Sequence, residues 1–118
     1  MKIRIKSNSL RYRLTRSDVA KLTSERYLED KVTFGNRALV YALKLSTPDR
    51  LSASFSDDTI TLCMSGNMIN ELENTDRVGF EEVIAGLHLL VEKDFTCLDN
   101  VEEDQSDNYP NPLAAKIV

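Results

Sequence analysis

Lys2, Arg4, Arg11 and Arg13 stand at alternate positions of two short runs near the start of the chain. Alternation places such side chains on one side of an extended strand, and aligned guanidinium and ammonium groups bind phosphate-like oxyanions through charge-assisted hydrogen bonds. They are the candidate anion-binding set. A second set is acidic. Asp94, Asp99, Glu102 and Asp104 offer the oxygen ligands that a hard divalent cation accepts, and Cys97 among them adds a thiolate suited to zinc or another transition ion. Their order does not match an EF-hand loop. Each set also has a plain structural explanation: outward charges keep an edge strand soluble, and a run of acids is a solvated loop.

Other chemistry is sparse. The chain has one histidine, His88, inside an apolar strand-like run, which reads as a partly buried structural residue; nothing in the spacing demands that it pair with Cys97. There is no nucleophile elbow, Walker loop, paired-cysteine zinc spacing or metalloprotease helix motif, and the 4 glycines leave none for a phosphate-cradling loop. No catalytic residue is assigned and no cofactor is expected.

The net charge of −4 conceals a split between the two ends. Residues 1–16 carry Lys2, Arg4, Lys6, Arg11, Arg13 and Arg16 with no acid, whereas residues 92–107 carry Glu92, Asp94, Asp99, Glu102, Glu103, Asp104 and Asp107 against Lys93 alone. This implies an anion-binding face or two ends that neutralise one another in the fold. The acidic balance, with a pI near 5.0, argues against a nucleic-acid partner. Charges interrupt every apolar pair in residues 1–6, so no signal-peptide core or membrane span is expected there. Two cysteines are too few for a disulfide scaffold, and a cytoplasmic location with reduced thiols is expected.

The elements that must position these side chains follow from hydrophobic periodicity. Ile3 and Ile5 alternate with Lys2, Arg4 and Lys6, and Leu10, Tyr12 and Leu14 with Arg11 and Arg13, on either side of the turn-like Ser7-Asn8-Ser9. Two strands, possible partners in a hairpin, are expected, with basic side chains turned away from the apolar face. Thr15 is a helix N-cap with Asp18 three residues on, predicting a short helix to about Arg26. Residues 31–34 are strand-like, Gly35-Asn36 is a tight turn, and the run 38–45, apolar on both faces, reads as a central strand. A clear hairpin follows, with Leu51, Ala53 and Phe55 before Asp57-Asp58 and Ile60, Leu62 and Met64 after it. Ser65 or Asn67 caps a second short helix ending near residues 74–76, and residues 87–92 form a last buried strand.

These elements predict an α+β fold with a mainly antiparallel sheet that curls or partly closes into a barrel of about six to seven strands, with two short helices. No internal repeat is visible. Residues 1–107 are expected to form one domain, and residues 108–118 an extended C-terminal tail, because Pro110 and Pro112 exclude helix and central strand; either Tyr109 anchors it to the fold or it is a short recognition segment for a partner.

The opening MKIRIKSNSLRYRLT of residues 1–15, the segment LVEKDFTCL of residues 90–98 and the ending EDQSDNYPNP of residues 103–112 resemble a family of small, uncharacterised bacterial proteins. That resemblance implies a bacterial origin and a stand-alone domain, and supplies no activity. The alternating charges are also loosely similar in architecture to the triphosphate tunnel enzymes; those open with alternating acids that hold metal, where this chain has Lys2, Arg4 and Lys6. The leading expectation is a non-catalytic ligand- or protein-binding module with a basic strand face, its partner an anionic small molecule or a protein. The competing one is a small enzyme acting on a phosphorylated or nucleotide-like substrate with a divalent metal. A homodimer built through an exposed sheet edge is a third possibility.

Overall fold

Four two-residue turns organise the chain. The computed structural model describes residues 1–95 and 106–112. Ser7-Asn8 joins β1 (Lys2–Lys6) to β2 (Ser9–Leu14), and Gly35-Asn36 joins β3 (Tyr27–Phe34) to β4 (Arg37–Ser46). Asp57-Asp58 joins β5 (Ser52–Ser56) to β6 (Thr59–Ser65), and Ala85-Gly86 joins β7 (Gly79–Ile84) to β8 (Leu87–Lys93). Both turn residues have positive φ in the last two hairpins, and only the first residue does in the other two, which are the I′ and II′ patterns that match the twist of antiparallel strands.

Helix α1 (Arg16–Glu25) starts at a capping box: the Asp18 amide donates to Thr15 Oγ1 (3.3 Å) and the Thr15 amide donates to Asp18 Oδ2 (2.9 Å). Helix α2 (Gly66–Asn74) is capped by Ser65, whose Oγ accepts from the Met68 amide at 3.1 Å. No helix among the described residues is long and apolar enough to cross a membrane.

The strands form two four-stranded sheets. Sheet A has the order β1-β2-β8-β7 and sheet B the order β3-β4-β6-β5. The central pairs, β2 with β8 and β4 with β6, run parallel, and the outer pairs antiparallel. The expected α+β class and the two helices are present. The expected antiparallel sheet or partial barrel of six to seven strands is corrected to eight strands in two open, mixed sheets. Strand β7 escaped the periodicity because Glu82 occupies an inward position between Phe80 and Ile84. That carboxylate accepts from the Leu51 amide at 2.8 Å and lies 3.6 Å from Arg50.

The architecture is an internal duplication, contrary to the expectation of no repeat. The series β1-β2-α1-β3-β4 and β5-β6-α2-β7-β8 follow the same path, and exchanging them converts one sheet order into the other. Up to the helices the halves are in constant register: Lys2–Lys6 corresponds to Ser52–Ser56, and the N-cap Thr15 to the N-cap Ser65. Core positions correspond as well, Tyr12 with Leu62, Leu14 with Met64, Val19 with Ile69 and Leu22 with Leu72, all buried. Each half gives one hairpin to each sheet, so neither can bury its apolar faces without the other. The two helices pack together, and Tyr12 ties the sheets by donating its hydroxyl to the Ile60 carbonyl at 3.2 Å. Burial pushes the Tyr12 phenol well above its ordinary range.

Candidate anion-binding face

The inward positions of β1 and β2, Ile3, Tyr12 and Leu14, join the core or pack against it, which forces their neighbours to the other side of sheet A. Register then aligns the outward residues in rows. Lys2 lies opposite Arg13 and Arg13 beside Glu92; Arg4 lies opposite Arg11 and Arg11 beside Leu90; Lys6 lies opposite Ser9 and Ser9 beside His88. All four residues of the candidate set line one shallow depression of about 140 Å³, with Lys6 on the same outward face. His88 is exposed on this face rather than partly buried, because the apolar residues around it, Leu87 and Leu89, point inward.

Among the described residues two acids reach the basic set, Asp94 beside Lys2 and Glu92 between Arg11 and Arg13. Glu92 Oε1 lies 3.2 Å from Arg13 Nε and 3.5 Å from Arg11 Nε. Both arginines are partly exposed, so these pairs are weak in stability and leave guanidinium donors available. Arg4 has no carboxylate within 4.0 Å among the described residues, and it faces Arg11 directly across the hairpin, a like-charge pair that costs stability unless an anion lies between.

Asp94 is the only member of the candidate metal set within the described residues; Cys97, Asp99, Glu102 and Asp104 lie outside them. It is buried at the end of β8. Its amide donates to the Leu14 carbonyl (2.8 Å), its carbonyl accepts from the Tyr109 amide (2.9 Å), and its Oδ2 lies 3.1 Å from Lys2 Nζ. The Lys2 ammonium is poorly aligned for a hydrogen bond to Oδ2, so the contact is charge pairing. Among the described residues, no group of three or more His, Cys, Asp and Glu side chains is gathered as a metal site.

Tyr109 fastens the tail where sequence expected an anchor. Its backbone bridges to Phe95, its ring meets the Phe95 ring edge-on, and Arg16 and Lys93 lie over it. Lys93 is a buried cation at the position equivalent to Leu45; its ammonium donates to the Thr75 carbonyl at 2.9 Å, and burial lowers its pKa from the ordinary value.

The family described as a family of unknown function, DUF7009, matches residues 1–113. The chain belongs to this family. No curated protein and no solved structure matches it.

In this DUF7009 chain the duplication provides an internal comparison for the basic face. The outward cations of β1 and β2 are Lys2, Arg4, Lys6, Arg11 and Arg13; their equivalents on β5 and β6 are Ser52, Ser54, Ser56, Thr61 and Cys63. The same backbone is therefore built twice, once with five cations and once with five small uncharged residues. Alternation in the sequence places all five cations on the face, Lys6 outside the four of the candidate set, but gives no sign of Glu92 as their neighbour. Lys6 obeys the same period, whereas Glu92 reaches the face only through the nonlocal β2–β8 pairing.

Proposed function

We propose that this protein is a binding module whose outer face of sheet A takes a multiply charged oxyanion, of the phosphate or polyphosphate class, between Arg4, Arg11 and Arg13. The observation that carries this reading is the contrast between the halves. The fold accommodates Ser54 and Thr61 where Arg4 and Arg11 stand, so the strands do not need the arginines in order to form. Arginine forks match tetrahedral oxyanions in geometry as well as charge. An anion between Arg4 and Arg11 also relieves the repulsion that the hairpin register imposes.

The test is to transplant the second half's residues into the first. Arg4→Ser with Arg11→Thr is expected to leave the circular dichroism spectrum intact. It should weaken tripolyphosphate binding, measured by calorimetry, by about 1 kcal/mol for each exposed charge contact removed, roughly thirtyfold for the pair. Equal binding by the variant and the wild type, or no binding by either, would reject the proposal.

A further inference from the structure

Of the four strands at sheet edges, three carry charges: β1 has Lys2, Arg4 and Lys6, β3 has Glu29, Asp30 and Lys31, and β7 has Glu81 and Glu82. Charged side chains are the usual protection of a row of unpaired backbone donors and acceptors. Strand β5 lacks it. Its five residues are Ser52, Ala53, Ser54, Phe55 and Ser56, with no charge and no proline, and Phe55 is 67% exposed.

We propose that β5 is a homodimer interface, in which a second copy of the chain adds its own β5 antiparallel to make a continuous eight-stranded sheet. The register follows from the hairpin. Ser56 and Thr59 flank the two-residue turn and form a hydrogen-bonded pair, so the backbone groups of Ser52, Ser54 and Ser56 face β6, and those of Ala53 and Phe55 face outward. Pairing outward residues with outward residues over the whole strand sets Ala53 opposite Phe55 of the second copy, Phe55 opposite Ala53 of the second copy, and Ser54 opposite itself on the two-fold axis.

The side chains suit that register. Ala53 and Phe55 line a groove of about 310 Å³ with Ile5, Leu10 and Ile60, and the small Ala53 leaves room in it for the phenyl ring of the second copy. On the other face only serines meet, so no like charges oppose. This interface belongs to sheet B and is independent of the anion-binding proposal on sheet A.

Sedimentation of the full chain across a concentration series tests the idea directly. The wild type is expected to approach twice 13.4 kDa, and Ser54→Lys, which sets two ammonium groups face to face on the axis, to sediment as a monomer with unchanged circular dichroism. Cross-linking tests the register and does not depend on that variant folding. In a Cys63→Ser, Cys97→Ser background, Ser54→Cys places two thiols on a non-hydrogen-bonded pair with Cα atoms about 4.5 Å apart, within disulfide reach. The same substitution at Ser52 leaves the thiols four residues out of register, about 14 Å apart. Efficient cross-linking at position 54 and none at 52 supports the interface. A wild type that stays monomeric throughout, a folded Ser54→Lys variant that still dimerises, or equal cross-linking at both positions would overturn it.

Discussion

Glu92→Gln separates a working anion site from a face that is merely charged. The carboxylate is shared by Arg11 and Arg13, so in the free protein it competes with any ligand for the same guanidinium groups. An anion seated on Arg4, Arg11 and Arg13 would lie roughly 6 Å from it. At an effective dielectric constant of about 60, between water and a protein surface, each unit of ligand charge is repelled by about 0.9 kcal/mol. A ligand carrying about two charges doubles that, and screening at physiological salt roughly halves it again. Removing the charge should therefore strengthen tripolyphosphate binding by about 1 kcal/mol, roughly fivefold by calorimetry at fixed ionic strength. Folding stability should fall by no more than about 0.2–1 kcal/mol per pair, because both pairs are partly exposed and the glutamine oxygen still accepts a hydrogen bond. If instead the thermal midpoint drops while affinity is unchanged or weaker, the arginines are there to hold Glu92, and the reasoning fails.

Gly79→Ala drives a Cβ into the Val91 carbonyl oxygen and 2.9 Å from the Glu92 Cα, both backbone atoms, so β7 must pull away from β8. Urea unfolding should register a loss of roughly 1–3 kcal/mol, whereas Gly66→Ala, with nothing within 4 Å at the start of α2, should be neutral or stabilising; a change below about 0.5 kcal/mol at Gly79 would contradict the packing. Asp107 is held below its ordinary value of 3.8 by hydrogen bonds from Ser17 and Thr15, so its stabilising contribution is complete above that value and is lost as pH falls through the folded one. Ser17→Ala should lower the thermal midpoint at neutral pH by an amount that shrinks below about pH 4, and an equal deficit at both ends of the titration would refute the linkage.

Local pattern carried the sequence reading as far as local chemistry determines structure. The two-residue turns at residues 7–8, 35–36 and 57–58 and the caps Thr15 and Ser65 are short-range signals, and strict alternation announced β1, β2, β5 and β6. Strand β7 was lost because its inward Glu82 serves a distant backbone amide, Leu51, that no window around residue 82 contains. The parallel pairs were lost for a similar reason. A hairpin pairs with its neighbour in sequence, but β2 meets β8 only after the second half has folded back across the first. The shared face of Lys2, Arg4, Arg11 and Arg13 was legible because alternation and one hairpin suffice to align them. Its electrostatics were not, since they depend on Glu92 arriving through that parallel pair.

The duplication also stayed hidden because the halves conserve different things in different places. Inside, what persists is burial: Tyr12 and Leu62, or Leu14 and Met64, fill equivalent space with different groups, as a core tolerates when volume and pattern are kept. Outside, nothing obliges the halves to agree, and they have parted along chemical lines, one hairpin basic and the other made of small hydroxyl and thiol residues. The divergence extends to the edges. The same charges that form the proposed anion face also close β1 to further pairing, and the serines at the equivalent positions leave β5 open. A single set of substitutions thus accounts for both proposals, a ligand face on one sheet and a dimer edge on the other. Since β5 takes no part in sheet A, a dimer formed through it would keep both basic faces free and bind a polyanion long enough to span them with the added strength of two linked sites.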